Sequence, residues 1–74
     1  MIKRVEYKKI EIKELDNIPE KRNRVFKIIY TDQVDHIKTE KQFQYKKNLR
    51  KCIDNPRTSK VQLFVGDVTR EKRV

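Results

Sequence analysis

The stretch TEKQFQYKKNLRKCI, residues 39–53, decides how this chain is read. Its centre, Phe43-Gln44-Tyr45, alternates as a strand does, whereas its two ends carry the marks of a helix. Thr39 offers an N-cap, and Gln42 three residues on completes the capping-box pattern, in which two side chains satisfy two free backbone N–H groups. Asn55 and Pro56 supply the stop, because the residue before a proline is pushed out of helical geometry. At about 100° per residue, Tyr45, Leu49, Cys52 and Ile53 fall in one apolar stripe. The spacing therefore predicts a helix of about four turns over 39–53, with that stripe on the core and the strand-like alternation accidental.

Phe43 is left outside the stripe. Its neighbours on the helical wheel are Lys46, Lys47, Arg50 and Lys51, so an aromatic sits in a basic face. Residues 39–57 hold six basic and two acidic side chains, which places +4 of the chain's formal +9 there. Two readings stand side by side. In one, Lys46, Lys47, Arg50, Lys51 and Arg57 neutralise phosphates and release counterions, Phe43 stacks on a base, and Arg50 has the fork geometry for a guanine edge. In the other, the cations are a solvated helix face and Phe43 folds back on Ile37 as a hydrophobic staple.

Working outward, residues 25–31 (VFKIIYT) alternate with Phe26, Ile28 and Tyr30 on one face, and residues 60–69 (KVQLFVGDVT) alternate around Val61, Leu63 and Val65, with Gly66 a bulge or twist point. Residues 3–15 read as one long strand whose parity changes at Lys8 and Lys9, the signature of a β-bulge. Residues 16–24 (DNIPEKRNR) form a loop. Residues 32–38 (DQVDHIK) are a connection, or a short returning strand through Val34 and His36. The expected class is α+β: a mainly antiparallel sheet of three or four strands with one helix on one face, in the order β-β-α-β, with an extra short strand before the helix as an option. Residues 1–69 make one domain and 70–74 a basic, frayed tail.

Both sheet faces are apolar, since Val25, Ile29, Phe64 and Val68 lie opposite the stripe that the helix covers. One helix covers one face, so these four are the expected interface of a homodimer, unless the loop around Ile18 folds beneath the sheet. A 74-residue chain is near the lower limit for one unstapled core, which also favours association. The staples themselves are absent: Cys52 is the single cysteine, and no zinc spacing occurs. Of 26 apolar residues 15 are Ile or Val, with no Ala and one Gly, which favours sheet over helix and matches the usage of AT-rich genomes such as those of many phages.

Chemistry-bearing patterns are few. Asp32, Asp35 and His36 form DQVDH, a conceivable cluster for a hard metal or acid–base work, but also the composition of an ordinary turn. Cys52 lies on the apolar stripe without a His partner and reads as a small hydrophobe. A single glycine excludes most phosphate-binding loops. No enzyme, metal or cofactor is expected. The expected function is a small basic nucleic-acid-binding protein, DNA or RNA, acting as a regulatory or accessory factor of viral or mobile-element origin. The alternative is a protein-binding module or viral inhibitor of a host protein, an acidic one for instance, acting through its basic or apolar sheet surface, and behind both stands a metal-independent ribonuclease using groups such as His36 and Tyr30. The expected setting is the cytoplasm, without membrane association.

Overall fold

The computed structural model describes residues 3–70. Strand β1 (Lys3–Ile10) leads through a 3-10 segment (Ile12–Asn17) to β2 (Arg24–Asp32), β3 (Lys38–Phe43), helix α1 (Lys46–Ile53) and β4 (Thr58–Arg70). The strands form one antiparallel sheet in the order β1-β4-β2-β3, with the helix on one face, so the chain is α+β as expected. Residues 71–74, most of the expected tail, lie outside the described residues.

Topology leaves one sheet face open. The last strand, β4, inserts between β1 and β2 and runs antiparallel to both, so β1 and β2 are parallel with one strand between them. The same holds for β3 and β4 across β2. Each pair is joined by a crossover, the first through the 3-10 segment and the second through α1. The two crossovers traverse the sheet in opposite directions from strands that also point in opposite directions, so right-handedness puts both on the same side. Leu15 from the 3-10 segment and Leu49 from α1 accordingly meet in one core with Phe26, Ile28, Tyr30 and Leu63. Among the described residues these six are the buried apolar ones, with Ile10, Ile18, Phe43, Cys52, Ile53, Val61 and Val65 packed around them.

Residues 38–43 depart from the expected helix. They form a strand whose Phe43 stands opposite Phe26, Lys41 opposite Ile28 and Thr39 opposite Tyr30. The helix begins only at Lys46 and runs eight residues. Long-range pairing with β2 outweighs the local capping signal, because alternate residues of the edge strand gain ladder hydrogen bonds to β2 and Phe43 gains the core. The hairpin turn makes that pairing possible. The Asp32 carboxylate accepts from the Val34 and Asp35 N–H groups at 2.7 and 3.3 Å, Asp35 accepts from the Ile37 N–H at 2.9 Å, and His36 adopts φ 61°. Val34 and His36 thus belong to the turn and not to a returning strand. Within the expected helical stripe, Leu49, Cys52 and Ile53 do face the core, but Tyr45 sits at the N-cap and is 54% exposed.

Two further corrections concern bulges. The β1–β4 register is unbroken from Lys3↔Arg70 to Ile10↔Leu63, so no bulge occurs at Lys8 and Lys9. The parity change arises because β1 ends at Ile10, which faces the core, and Ile12 opens the 3-10 segment. The sheet's irregularity lies in β4 instead: Ile29 pairs with Gln62 but Thr31 with Ser59, and Lys60 between them takes φ 50°. Gly66 has a different task. A Cβ there would stand 2.5 Å from the Glu6 carbonyl oxygen and 3.0 Å from Tyr7 Cδ1, so glycine is required for the close approach of β1. Among the described residues no helix is long and apolar enough to cross a membrane.

Candidate nucleic-acid interface

The basic residues of α1 divide by their helical spacing. Lys46 and Arg50, four apart, lie on the side toward the 3-10 segment, and both are occupied there. Lys46 Nζ donates to the carbonyl oxygens of Ile18 and Leu15 at 2.6 and 3.4 Å, and its backbone N–H donates to Glu20 Oε1 at 3.0 Å. The Glu20 carboxylate therefore does for the helix N-terminus what Tyr45 as N-cap cannot. Arg50 Nη2 pairs with Asp16 Oδ1. These two cations fasten the helix to the 3-10 segment, so neither side chain is free of partners within the fold.

Lys47 and Lys51, also four apart, remain exposed. Lys51 lines a cleft of about 390 Å³ between the C-terminal half of α1 and the edge strand β3. Lys41 from β3 and Arg57 from the α1–β4 loop line the same cleft, beside Tyr30, Cys52 and Phe43. Of the six residues expected to contact nucleic acid, Phe43, Lys51 and Arg57 are thus brought together here. Phe43 comes as a strand residue half-buried against the core. It is neither an exposed stacking ring nor a staple in a helical first turn.

Arg57 is held in place. Its Nε lies 3.3 Å from Asp32 Oδ1 and its Nη2 3.0 Å from Oδ2, while its carbonyl accepts from the Gln33 N–H at 2.6 Å. The Val34 N–H, aided by Arg57 and opposed by partial desolvation, keeps the Asp32 carboxyl below its usual range. Asp32 thus stays ionised, bracing the turn with one set of lone pairs and Arg57 with another. The guanidinium side chain is 53% exposed, so its remaining N–H donors are open to an anion. The DQVDH carboxylates serve the turn, His36 is exposed, and no group of three potential metal ligands occurs among the described residues.

The four residues expected at a dimer interface, Val25, Ile29, Phe64 and Val68, do share the open face, each half-buried. Two neighbours change its character. Lys27, at the centre of that face and 21% exposed, places Nζ 4.4 Å from the Tyr7 ring centroid, 4.9 Å from that of Phe64 and 3.7 Å from Glu40 Oε1. Tyr7 lies across Gly66 in the space a Cβ would fill. Burial, then the Glu40 carboxylate, push the Tyr7 phenol above its ordinary pKa.

Sequence reasoning missed Lys41, Tyr7 and Lys27. The signal for Lys41 was the alternation in 38–43: read as a strand, it places Lys41 on the side of Phe43. No family model, curated protein or solved structure matches this chain.

Proposed function

We propose that the chain binds polyanions, nucleic acid foremost, with backbone phosphate seated in the cleft between α1 and β3. The observation that carries this reading is the convergence of Lys41, Lys51 and Arg57 from a strand, a helix and a loop, with Arg57 oriented by Asp32. Cations adjacent in sequence are commonplace in a basic chain. Cations drawn from three elements to one cleft around a buried tyrosine are a more selective arrangement. Lys47 extends the row along the helix, and the overall charge of +9 supplies the long-range attraction.

Four cations of this kind predict a slope of roughly −3 for log affinity against log salt. Titration of a labelled oligonucleotide by fluorescence anisotropy at several salt concentrations measures it. Replacing Lys41 and Lys51 together by Gln is expected to lower the magnitude of the slope by roughly 1 to 2. Failure of the wild-type chain to bind at low salt, or a double variant with an unchanged slope, removes the proposal.

One observation favours a second reading, a protein-binding module. The β2–β3 turn is tightly braced by Asp32 and Asp35, yet it exposes Val34 by 68% and Ile37 by 59%. A rigid loop with two exposed aliphatic residues suits insertion into an apolar pocket of a partner protein. A stoichiometric partner retained from nuclease-treated lysate, and lost with Val34→Ser and Ile37→Ser, supports this reading; an identical set of bound proteins for wild type and variant rejects it.

A further inference from the structure

We infer that the open face of the sheet takes unpaired nucleotide bases, stacked on Tyr7 and Phe64, so that the nucleic acid bound is single-stranded. The inference rests on the nucleic-acid reading above and narrows it.

The face is left bare by topology, since both crossovers lie on the other side. Aliphatic residues alone would mark it as a packing surface. The residues near its middle are instead two aromatic rings about a lysine, with Phe64 on the inner strand β4 and Tyr7 on the adjoining β1. Gly66 leaves room for the Tyr7 ring, whose Cδ1 lies 3.0 Å from where a Cβ would stand, and one π face of that ring is covered by the Lys27 ammonium alone among the cations described. The Lys27 ammonium already occupies the position over both rings. A base is a planar π system that fits the same position, and Lys27, on its flexible stem, transfers to the phosphate that arrives with it.

The charges around the rings fit such a ligand. On this face the paired register places Lys9 opposite Phe64, Lys38 opposite Thr31 and Glu40 opposite Ile29, so the described strands offer Lys9, Lys27 and Lys38 against one carboxylate. Gln42 and Gln62 stand exposed on the same face and provide both donors and acceptors for base edges. A second copy of the chain suits the surface less well. A two-fold contact centred on Lys27 would bring that lysine against its own image and bury both. A duplex keeps its bases stacked inside and presents no free π face to the rings.

The test uses the full chain with a short labelled single strand and with its duplex at one low salt concentration. Single-strand binding is expected to exceed duplex binding, and Phe64→Leu and Tyr7→Leu each to weaken it about tenfold. Lys51→Gln, in the cleft, is expected to weaken both probes. The aromatic proton signals of Tyr7 and Phe64 in the unmodified protein are expected to move upfield on adding the single strand, a readout independent of whether the variants fold. Equal affinity for the two probes with unmoved ring signals overturns the inference while leaving the cleft intact. Absence of binding to either probe removes this inference and the nucleic-acid reading together. Ring signals that shift with protein concentration alone, alongside a doubled particle mass, assign the face to a second copy and overturn the inference.

Discussion

Phe43 stands directly opposite Phe26 across the β2–β3 pair, and Phe26 is fully buried. The aromatic that its sequence neighbours place in a basic helix face therefore belongs to the core. Phe43→Ala is expected to cost about 2 kcal/mol, less than a fully buried phenylalanine because Phe43 is half-buried. Urea denaturation measures this as a lower midpoint at unchanged slope. Weakened oligonucleotide binding at undiminished stability would instead make Phe43 a ligand contact.

Lys46 and Arg50 separate structural from interfacial charge. Lys46→Met removes an ammonium that donates to two carbonyls, one at 2.6 Å, and is expected to cost about 1–2 kcal/mol. Arg50→Gln breaks a largely exposed pair with Asp16 and is expected to cost about 0.5 kcal/mol. Neither should change the salt slope of binding by as much as the Lys41 and Lys51 substitutions do. A slope change as large from Lys46→Met contradicts the assignment.

Gly66→Ala is expected to destabilise the domain by about 2–3 kcal/mol, because the added methyl meets the rigid Glu6 carbonyl and not a movable side-chain tip. Thermal and urea unfolding both register the loss. A variant as stable as wild type would show that β1 yields readily at this point.

Asp32 links the turn to acid stability. Its carboxyl is held below the usual range by the Val34 N–H and Arg57, so folding favours its ionised form. The contribution is complete above the unfolded carboxylate value of about 3.9 and is lost as pH falls through the lower folded value. Asp32→Asn is therefore expected to melt below wild type at neutral pH, with the gap closing in acid below about pH 4. Melting curves across the acid range check this, and a gap that persists unchanged at low pH refutes it.

Much of the sheet is legible in the residues themselves. The alternation of Phe26, Ile28 and Tyr30, and of Val61, Leu63 and Val65, correctly names strands and their inner faces, because a period of two is a property of the extended chain and needs no partner. The segment 38–43 was harder. Its inward residues, Thr39, Lys41 and Phe43, include only one strongly apolar side chain, since an edge strand covered by a short helix buries little. A chance capping box then outweighs a weak alternation. The cleft was half legible for the same reason: Lys51 and Arg57 lie in the basic run, but Lys41 joins them only if 38–43 is a strand.

By itself the sequence determined the class, the positive charge, the apolar faces of the central strands and the end of the helix at Asn55-Pro56, all set by local stereochemistry and composition. Tertiary structure decided the rest. Pairing with β2 turned a capped segment into a strand, because ladder hydrogen bonds and the Phe26 contact outweigh a local cap. The fate of each cation was decided by proximity across the fold: Lys46 and Arg50 were drawn to the 3-10 segment, Arg57 to Asp32 and Lys27 to two rings. Insertion of β4 between β1 and β2 made two crossovers of one hand, which covers one sheet face twice and leaves Tyr7 and Phe64 on the other.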